Sequence, residues 1–410
     1  MISPPTSKSI VQRVIAAALL ADGTSVIENF PRCNDTTAAL RIAQDLGAKI
    51  THENDFLHIE GGVKISNTTL NAEESALALR MFAPIAALSG KEIIFSGKGS
   101  LLNRPIELII NALSQGCVKC TTNNGSLPLT LSGKLKSGHF HIDGSVTSQV
   151  LTGLLMALPV VNGDSAVIVE NLKSKPYIDI TLEVLKSFGI EIENIDYHTF
   201  NIRGNQKYIP CRYVVEGDWS SAAFWMVAGA IHGDISIGGL NPNSKQADRA
   251  ILDALKKANG TVEYRQGIFT SKKSKVTPFT FDASDCPDLI PILTLLAACA
   301  TGVSEIYGAK RLAHKESNRA AVLIQEFAKT GISITQHDDT LEITGGVIHG
   351  ADIDPHNDHR IAMTFAIASL VATSDISVKN PECVEKSYPG FWLLFSRFKP
   401  IFSDIGSYLD

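Results

Sequence analysis

Apolar and polar positions recur along the chain in a regular order: a stretch with helical spacing, a glycine, and a short alternating segment. Alternation predicts a strand, and a glycine that ends a helical stretch is typical of a helix cap. The order repeats about every seventy residues, which indicates an internal structural repeat. The instances are DLGAKI, SQGCVK, SFGIEI, ANGTVE and KTGISI, with Gly47, Gly116, Gly189, Gly260 and Gly331.

A second series interleaves with the first. Its members are ADGTSVI, LSGKEII, VNGDSAV, IHGDISI and ATGVSEI, and a sixth copy, ATSDISV, has no glycine. The two series together predict six units, each with two helices that are followed by strands, and further strand material. We expect an α/β protein with three units in each of two domains, 8–216 and 217–410 together with 1–7.

Charged residues gather where the repeat predicts helix starts. The N-terminus of a helix carries partial positive charge and unpaired N–H groups, so a basic residue beside it is favoured when an anion binds there. The pattern therefore indicates a ligand, or two ligands, with several negative charges. The basic residues near predicted helix starts are Lys8, Arg13, Arg80, Arg104, Arg319, Arg360 and Lys386, and the acids are Asp35, Asp248, Asp288 and Glu316.

Composition narrows the class of protein. A chain of 410 residues exceeds what one compact core usually accommodates, in agreement with two domains. A net charge of −5 argues against a nucleic-acid-binding protein. No apolar run reaches the roughly 18 residues of a membrane span. The seven scattered cysteines are typical of a reducing compartment, so we expect a cytoplasmic protein.

Eight segments, in this order and spacing, resemble the enolpyruvyl transferase family of 5-enolpyruvylshikimate-3-phosphate synthases. The resemblance extends from about Pro4 to about Trp392. It implies two inverted, inside-out α/β domains, each with three βαβαββ units in a pseudo-threefold arrangement and with the active site in the cleft between them. The segments are SKSIVQR, NRPIEL, DGSVTSQVLTGLLMALP, SKPYIDITL, VEGDWSSAAFW, HKESNR, NDHRIAM and EKSYPGF.

The resemblance also implies a reaction in the shikimate pathway of aromatic amino acid biosynthesis. The 5-hydroxyl of shikimate 3-phosphate adds to C2 of phosphoenolpyruvate while C3 is protonated. The tetrahedral adduct then loses phosphate and a C3 proton. No metal or organic cofactor is required. The expected partners are the two small substrates, with no nucleic acid and no membrane, and we expect a monomer.

Residue roles follow from the matched motifs alone. The resemblance implies that Asp288 is the hydroxyl-binding carboxylate and candidate base, that Glu316 carries the proton at C3, and that Lys8 reaches both substrates. His359 is expected to assist. The residues implied for shikimate 3-phosphate are Lys8, Ser9, Arg13, Thr147, Ser148, Gln149, Ser174, Tyr177, Asp288 and Lys315. Those implied for phosphoenolpyruvate are Lys8, Ala76, Arg104, Gln149, Arg319, Arg360 and Lys386.

The largest departure from the family pattern is the segment ESALALR, 74–80, where the family usually has NAGTAMR. Arg80 is kept, but Glu74, Ala76 and Leu77 alter the loop expected beside phosphoenolpyruvate. Glyphosate competes for that pocket in this family. We therefore expect the methyl group of Ala76 to reduce glyphosate sensitivity.

Two alternatives remain open from the residues. One is the related transferase that acts on a UDP-amino sugar and carries a reactive cysteine in its first domain. Cys117 lies near that region, but we expect it within a strand. The other is a non-catalytic member that binds an anionic metabolite, which the substituted residues Glu74 and Leu77 keep possible. Phosphate release with each substrate pair separates these alternatives.

Overall fold

The computed structural model describes residues 1–62 and 64–399. Residues 400–410, which the predicted second domain includes, lie outside the described residues. The chain forms two compact units: Thr6–Glu216 with Lys245–Ala247, and Met1–Pro5 with Gly217–Ser244 and from Asp248 onward. No helix in the described residues is long and apolar enough to cross a membrane.

The unit that contains Thr6–Glu216 alternates helices with strands throughout. Its helices are α1 (Lys8–Leu20), α2 (Asn34–Asp45), α3 (Ala76–Ala87), α4 (Glu107–Gln115), α5 (Gln149–Ala157) and α6 (Lys175–Ser187). Its strands are β1 (Thr24–Glu28), β2 (Lys49–Glu53), β3 (Phe56–Glu60), β4 (Thr69–Asn71), β5 (Ile93–Ser96), β6 (Lys119–Asn123), β7 (Ser126–Ser132), β8 (His139–Asp143), β9 (Ser165–Glu170), β10 (Glu193–Ile195), β11 (Thr199–Ile202) and β12 (Arg212–Val214).

One sheet topology recurs three times among the described residues of this unit. The strand orders are β12-β1-β3-β2, β4-β5-β7-β6 and β8-β9-β11-β10. In each sheet the first two strands are parallel and the remaining pairs are antiparallel. Each sheet therefore belongs to a βαβαββ repeat, and β12, the last strand of the unit, supplies the leading strand of the first repeat.

The first helix of each repeat is buried on all sides. Every residue of α3 is buried, and α5 is buried beyond its first residue. Their sequences are apolar around the whole helix, which is typical of a helix inside a core. The second helices, such as α2 and α6, bury one face only. The starts of the buried helices carry candidate site residues, so core packing determines where these side chains lie.

Gly153 permits the close packing of α5 against α3. A Cβ at this position would lie 2.5 Å from the carbonyl oxygen of Arg80 and 2.9 Å from Cγ of Pro84. We expect Gly153→Ala to destabilise the protein by about 1–3 kcal/mol, since the helices must move apart. Chemical denaturation measures the effect. Gly233→Ala is the control, because a Cβ there meets nothing within 4 Å, and equal stability of the two variants would contradict the packing argument.

The other unit follows the same plan. Its helices are α7 (Trp219–Ile231), α8 (Ile251–Lys257), α9 (Ile290–Ala298), α10 (Arg319–Lys329), α11 (His359–Ala368) and α12 (Phe391–Phe395). Its strands are β13 (Ile235–Ile237), β14 (Thr261–Arg265), β15 (Ile268–Lys272), β16 (Thr280–Asp282), β17 (Gly302–Tyr307), β18 (Ser333–His337), β19 (Thr340–Gly345), β20 (Asp352–Ile353) and β21 (Ser377–Val378).

The sheets of this second unit differ in how complete they are. The order β16-β17-β19-β18 repeats the four-stranded pattern, whereas β13-β15-β14 has three strands. Ile2 forms a parallel bridge to Ile237 at the position where a leading strand would lie. Within the described residues the last sheet contains β20 and β21 alone. The short segment before the SKS motif therefore supplies a bridge where the other repeats have a strand.

Predicted helix starts agree with the structure to within a few residues. Ser75 and Asn318 cap α3 and α10 by accepting hydrogen bonds from N–H groups of the first turn. Asp218 caps α7 by accepting from the Ser221 N–H at 2.6 Å, so this helix begins at Trp219. Before α8, residues Ala247–Ala250 form a 3-10 helix, so the α-helix itself begins at Ile251.

Candidate active site

Arg319 lies at the centre of an ion-pair network in the unit that contains α7–α12. Its Nη1 donates to Asp288 Oδ1 at 2.8 Å, Nη2 donates to Glu316 Oε2 at 2.5 Å, and Nε donates to Asp358 Oδ2 at 2.7 Å. The guanidinium is buried, yet the three carboxylates outweigh the effect of burial and raise the pKa of Arg319. The network therefore holds Glu316 and Asp288 next to one buried cation.

Asp288 connects three cations. Its Oδ1 accepts from Lys315 Nζ at 3.2 Å as well as from Arg319, and its Oδ2 accepts from Arg360 Nη2 at 3.1 Å. Burial opposes ionisation of Asp288, but Arg360, Lys315 and Arg319 together hold the pKa of its carboxyl group well below the usual value. A carboxylate with a lowered pKa is a weak base. It is better suited to accept a hydrogen bond from a hydroxyl group than to take up its proton.

The first turn of α11 positions the second arginine of the cluster. The side chain of Asp358 caps this helix by accepting from the Arg360 N–H at 3.0 Å, and it also accepts from Arg319. His359, which lies between Asp358 and Arg360 in the sequence, is also buried. Lys386 is buried at the end of a 3-10 helix, Pro381–Lys386, which packs against α11. The structure therefore places Arg319, Arg360, His359 and Lys386 on adjacent elements.

In the unit that contains α1–α6, Lys8 is the first residue of α1. Its Nζ forms an ion pair with Asp35 Oδ2 at 2.8 Å, and Asp35 lies in the first turn of α2. Ser9 is the next residue of α1, and its hydroxyl is 3.2 Å from that of Ser7. The start of α1 therefore presents an ammonium group and a hydroxyl group together, and Asp35 holds the ammonium group in place.

Arg13 is buried and joins three helices. Its Nε donates to Thr181 Oγ1 at 2.8 Å, Nη1 donates to the Ser9 carbonyl at 2.6 Å, and Nη2 donates to Thr152 Oγ1 and to the Tyr177 carbonyl. Burial lowers the pKa of Arg13 to about 10. A guanidinium has five N–H groups. These bonds leave an N–H of Nη1 for a ligand, so Arg13 has mainly a structural role in this arrangement.

Arg80, on α3, contacts the beginning of α5. Its Nη1 donates to Gln149 Oε1 at 2.9 Å and Nη2 donates to the Pro105 carbonyl at 3.1 Å. Burial, and then the positive charge of Arg104, lower the pKa of Arg80 to about 9. Two neighbouring guanidinium groups repel each other, and a bound anion would relieve that repulsion. Arg80 also orients Gln149. The sequence did not indicate this role, because it showed Arg80 only as a basic residue near a predicted helix start.

The remaining candidates in this unit lie where helices begin. Thr147 Oγ1 accepts from the Gln149 N–H at 3.2 Å, and Ser148 is the buried cap residue of α5. Ser174 precedes α6 with a left-handed backbone, φ 59°, and Tyr177 is half-buried in its first turn. These hydroxyl groups flank helix N-termini, as expected for ligands of a phosphate group.

Glu74, in the altered segment 74–80, contacts the segment that precedes Arg104. Ser100 Oγ donates to Glu74 Oε2 at 3.2 Å, at the start of a 3-10 helix, Gly99–Asn103. Ala76 is the first residue of α3 and is only 4% exposed. Glu74 therefore connects α3 to the segment that carries Arg104.

Cys117 does not lie within a strand, so this prediction was wrong. It is exposed and has a left-handed backbone, φ 64°, between Gly116 and β6. The glycine that ends α4 is followed by a second residue that completes the turn, and this delays the strand to Lys119. Exposure of a thiol at this position is not sufficient to favour the UDP-amino-sugar alternative.

Known proteins resemble the chain over almost its whole length. The model of the family EPSP synthase (3-phosphoshikimate 1-carboxyvinyltransferase) matches residues 1–394. The 3-phosphoshikimate 1-carboxyvinyltransferase of Clostridium novyi (strain NT) is 40% identical, over 97% of this chain and 94% of that protein. Its counterpart in Clostridium acetobutylicum is 39% identical, over 95% of this chain and 92% of that protein.

Solved structures agree with these relatives. A structure of EPSP synthase from Acinetobacter baumannii superposes with a TM-score of 0.81 at 26% identity, and the match covers 97% of this chain and 95% of that chain. The predicted α/β class, with its βαβαββ repeats, is thus confirmed. The fold, the family model and the relatives agree, and the chain belongs to the EPSP synthase family.

Proposed function

We propose that the chain transfers the enolpyruvyl group of phosphoenolpyruvate to the 5-hydroxyl of shikimate 3-phosphate. The hydroxyl oxygen bonds to C2 as its O–H bond breaks, while a separate proton is added to C3, which gives a tetrahedral adduct; the hydroxyl proton ends on the phosphate that is released. Elimination then breaks the bond from C2 to the phosphate oxygen as a C3 proton leaves, so phosphate is released and the double bond is restored. The observation that carries the proposal is the cluster in which Asp288 and Glu316 share Arg319.

The cluster suits both steps of this reaction. Asp288 accepts a hydrogen bond from the 5-hydroxyl and directs its oxygen towards C2, a role that fits an ionised carboxylate of low basicity. Glu316, held by Arg319, adds and removes the proton at C3. A general acid or base at such a position typically contributes about 10²–10⁴-fold to the rate. Positive charge from the surrounding arginines stabilises the phosphate that leaves.

The two units take different parts in the proposal. We assign shikimate 3-phosphate mainly to domain 8–216, where hydroxyl groups flank helix starts. We assign phosphoenolpyruvate mainly to domain 217–410 with 1–7. The reaction needs residues from both domains. The residues assigned to shikimate 3-phosphate are Lys8, Ser9, Arg13, Thr147, Ser148, Gln149, Ser174, Tyr177, Asp288 and Lys315. Those assigned to phosphoenolpyruvate are Lys8, Ala76, Arg104, Gln149, Arg319, Arg360 and Lys386.

Measurement of phosphate release tests this function directly. We expect release when phosphoenolpyruvate and shikimate 3-phosphate are both present, and none when a UDP-amino sugar replaces shikimate 3-phosphate. Release with phosphoenolpyruvate and the UDP-amino sugar, but not with phosphoenolpyruvate and shikimate 3-phosphate, would identify the related transferase. Binding of both substrates with no release would identify a non-catalytic anion-binding protein. We further propose a monomer that acts in the cytoplasm, and light scattering at working concentration tests its oligomeric state.

We expect Ala76→Gly to make the enzyme roughly tenfold more sensitive to glyphosate. Removal of the methyl group gives more room at the first turn of α3, and glyphosate is longer than phosphoenolpyruvate. Relief of such an overlap is worth about 1–3 kcal/mol, which corresponds to roughly tenfold or more in binding. The measurement is the inhibition constant against phosphoenolpyruvate. Ala78→Gly, at a buried position of the same helix, is the control, and an equal change in both variants would contradict the steric argument.

A further inference from the structure

The turn between β10 and β11 has a left-handed backbone without a glycine. Asp196 and Tyr197 lie in this turn with φ 51° and 57°. Two other hairpins, β6–β7 and β14–β15, also place two consecutive residues at positive φ, and there the second residue is a glycine, Gly125 or Gly267. A bulky side chain is disfavoured at such a backbone because its Cβ crowds a neighbouring carbonyl oxygen. The contacts that Tyr197 makes with its side chain offset this disadvantage.

The side chain of Tyr197 contacts the beginning of α6 at two points. Its hydroxyl group donates to Asp179 Oδ1 at 2.7 Å. Nζ of Lys175, the first residue of α6, lies 5.4 Å from the centroid of the tyrosine ring, a distance at which the ring attracts a cation. Lys175 and Asp179 are four residues apart, so they lie one above the other on the same face of the helix. Tyr197 therefore spans the first turn of α6.

Arg13 holds the same helix from a different side. It donates to the Tyr177 carbonyl and to Thr181 Oγ1. Because an α-helix has about 3.6 residues per turn, Thr181 faces away from Lys175 and Asp179. The start of α6 is thus held between α1 and the β10–β11 turn, and all these residues belong to one unit.

The held segment carries residues that are assigned to shikimate 3-phosphate. Ser174 directly precedes α6, and Tyr177 lies in its first turn. Ser174 also has a left-handed backbone, φ 59°. Residues in such conformations persist only where the surrounding structure fixes them, and they concentrate at ligand sites. The backbones of Ser174 and Tyr197 therefore indicate that the start of α6 is held in one position for a ligand.

We propose that Tyr197 and Asp179 are positioning residues that fix the first turn of α6 for the binding of shikimate 3-phosphate. The inference rests on the proposed roles of Ser174 and Tyr177. A segment that is ordered beforehand loses less conformational freedom when a ligand binds, which increases affinity. None of the residues assigned to phosphoenolpyruvate lies on α6, so the effect should be selective for one substrate.

Calorimetric titration with shikimate 3-phosphate tests the inference without turnover. We expect Tyr197→Phe and Asp179→Ala each to raise Kd about tenfold, which corresponds to the lower end of the free energy of a hydrogen bond to a charged group. The double variant should resemble the weaker single variant, because both remove the same contact. Asp179→Asn should lose less affinity, since its amide oxygen still accepts from the tyrosine. KM for phosphoenolpyruvate should stay unchanged in all four variants.

A second variant separates the side chain of Tyr197 from the backbone of the turn. Glycine adopts positive φ readily, as at Gly125 and Gly267, so Tyr197→Gly should fold. It lacks both contacts with α6, and its Kd should rise at least as much as that of Tyr197→Phe. Tyr307→Phe is the matched control, because the Tyr307 hydroxyl also donates to a carboxylate, Glu305 Oε2, at 2.9 Å, in the other unit. Its Kd should equal that of the wild type.

Hydrogen exchange of the Tyr177 amide provides a measurement that needs no ligand. This N–H donates to the Ser174 carbonyl at 3.1 Å. It should exchange faster in Tyr197→Phe than in the wild type, because the first turn of α6 loses an anchor. A wild type that neither binds shikimate 3-phosphate nor releases phosphate would refute the proposed function, and the exchange rates would still report on the anchor.

The inference itself would be overturned by any of three results with an active wild type. These are an unchanged Kd in Tyr197→Phe and Tyr197→Gly, an equal rise of Kd in Tyr307→Phe, and an unchanged exchange rate of the Tyr177 amide.

Discussion

Replacement of Glu316 by Gln is expected to lower kcat by about 10²–10⁴-fold while the affinity for both substrates changes little. The amide keeps the shape of the side chain, and its oxygen still accepts from Arg319 Nη2, at 2.5 Å in the wild type. Arg319 also remains anchored by Asp288 and Asp358. The binding geometry therefore survives, whereas the proton at C3 loses its carrier. An interaction needed only in the transition state lowers kcat rather than raising KM.

The measurement combines phosphate release with isotope exchange at C3. Wild-type enzyme in deuterated water should introduce deuterium into the methylene group through the methyl stage of the adduct, and Glu316→Gln should slow both processes together. Glu326 provides a control because it is fully buried and forms an ion pair at the same i,i+3 spacing. Lys329 Nζ lies 2.6 Å from Glu326 Oε2. Glu326→Gln should affect stability alone. Near-normal turnover of Glu316→Gln would make Glu316 a structural partner of Arg319 and transfer its role to Lys8 or Asp288.

Replacement of Asp288 by Asn is expected to lower kcat/KM by about 10- to 150-fold, because a hydrogen bond to a charged group is worth about 1.5–3 kcal/mol. The amide offers one acceptor oxygen to Lys315, Arg319 and Arg360, and its NH2 group must face at least one of these cations. The 5-hydroxyl then loses its acceptor, and the cluster gains positive charge. In contrast to Glu316→Gln, the KM for shikimate 3-phosphate should rise. An unchanged KM for this substrate would contradict the assignment of Asp288.

The same variant should alter the dependence of stability on pH. Although burial opposes it, the three cations hold the folded-state pKa of Asp288 well below the unfolded value of about 3.9. The resulting stabilisation is fully present above that value and is lost as the pH falls below about 4 towards the folded-state pKa. The wild type should therefore exceed Asp288→Asn in unfolding free energy at pH 7, and the difference should shrink below pH 4. Asp282→Asn, at an exposed neighbouring position, is the control.

Much of the fold was predictable because its signals are local. A glycine that ends a helix and an alternating strand act within a few residues, so the spacing of Gly47, Gly116 and Gly189 indicated the repeat without knowledge of any contact. Caps are equally local, since Ser75 and Asn318 accept hydrogen bonds from residues three positions later. Charged residues near these starts pointed to anions because the chemistry of a helix terminus is the same in every protein.

The partners of the buried polar groups were not predictable in this way. Thr181 follows Arg13 by 168 residues, and Arg360 follows Ser220 by 140 residues. A buried polar group must find a partner, but its own sequence neighbourhood does not specify which one. Packing of α1 against α6, and of α7 against α11, brings these pairs together.

The sequence by itself therefore determined the repeat and the family, and it predicted the candidate site residues. The tertiary structure alone decided that Asp35 holds Lys8, that Asp358 holds Arg319, and that Ser220 accepts a hydrogen bond from Arg360. The physical reason is the separation along the chain between the residues that interact. Helix caps and strand alternation are set by interactions between near neighbours, whereas the orientation of a buried charge depends on side chains that only the packed core brings together.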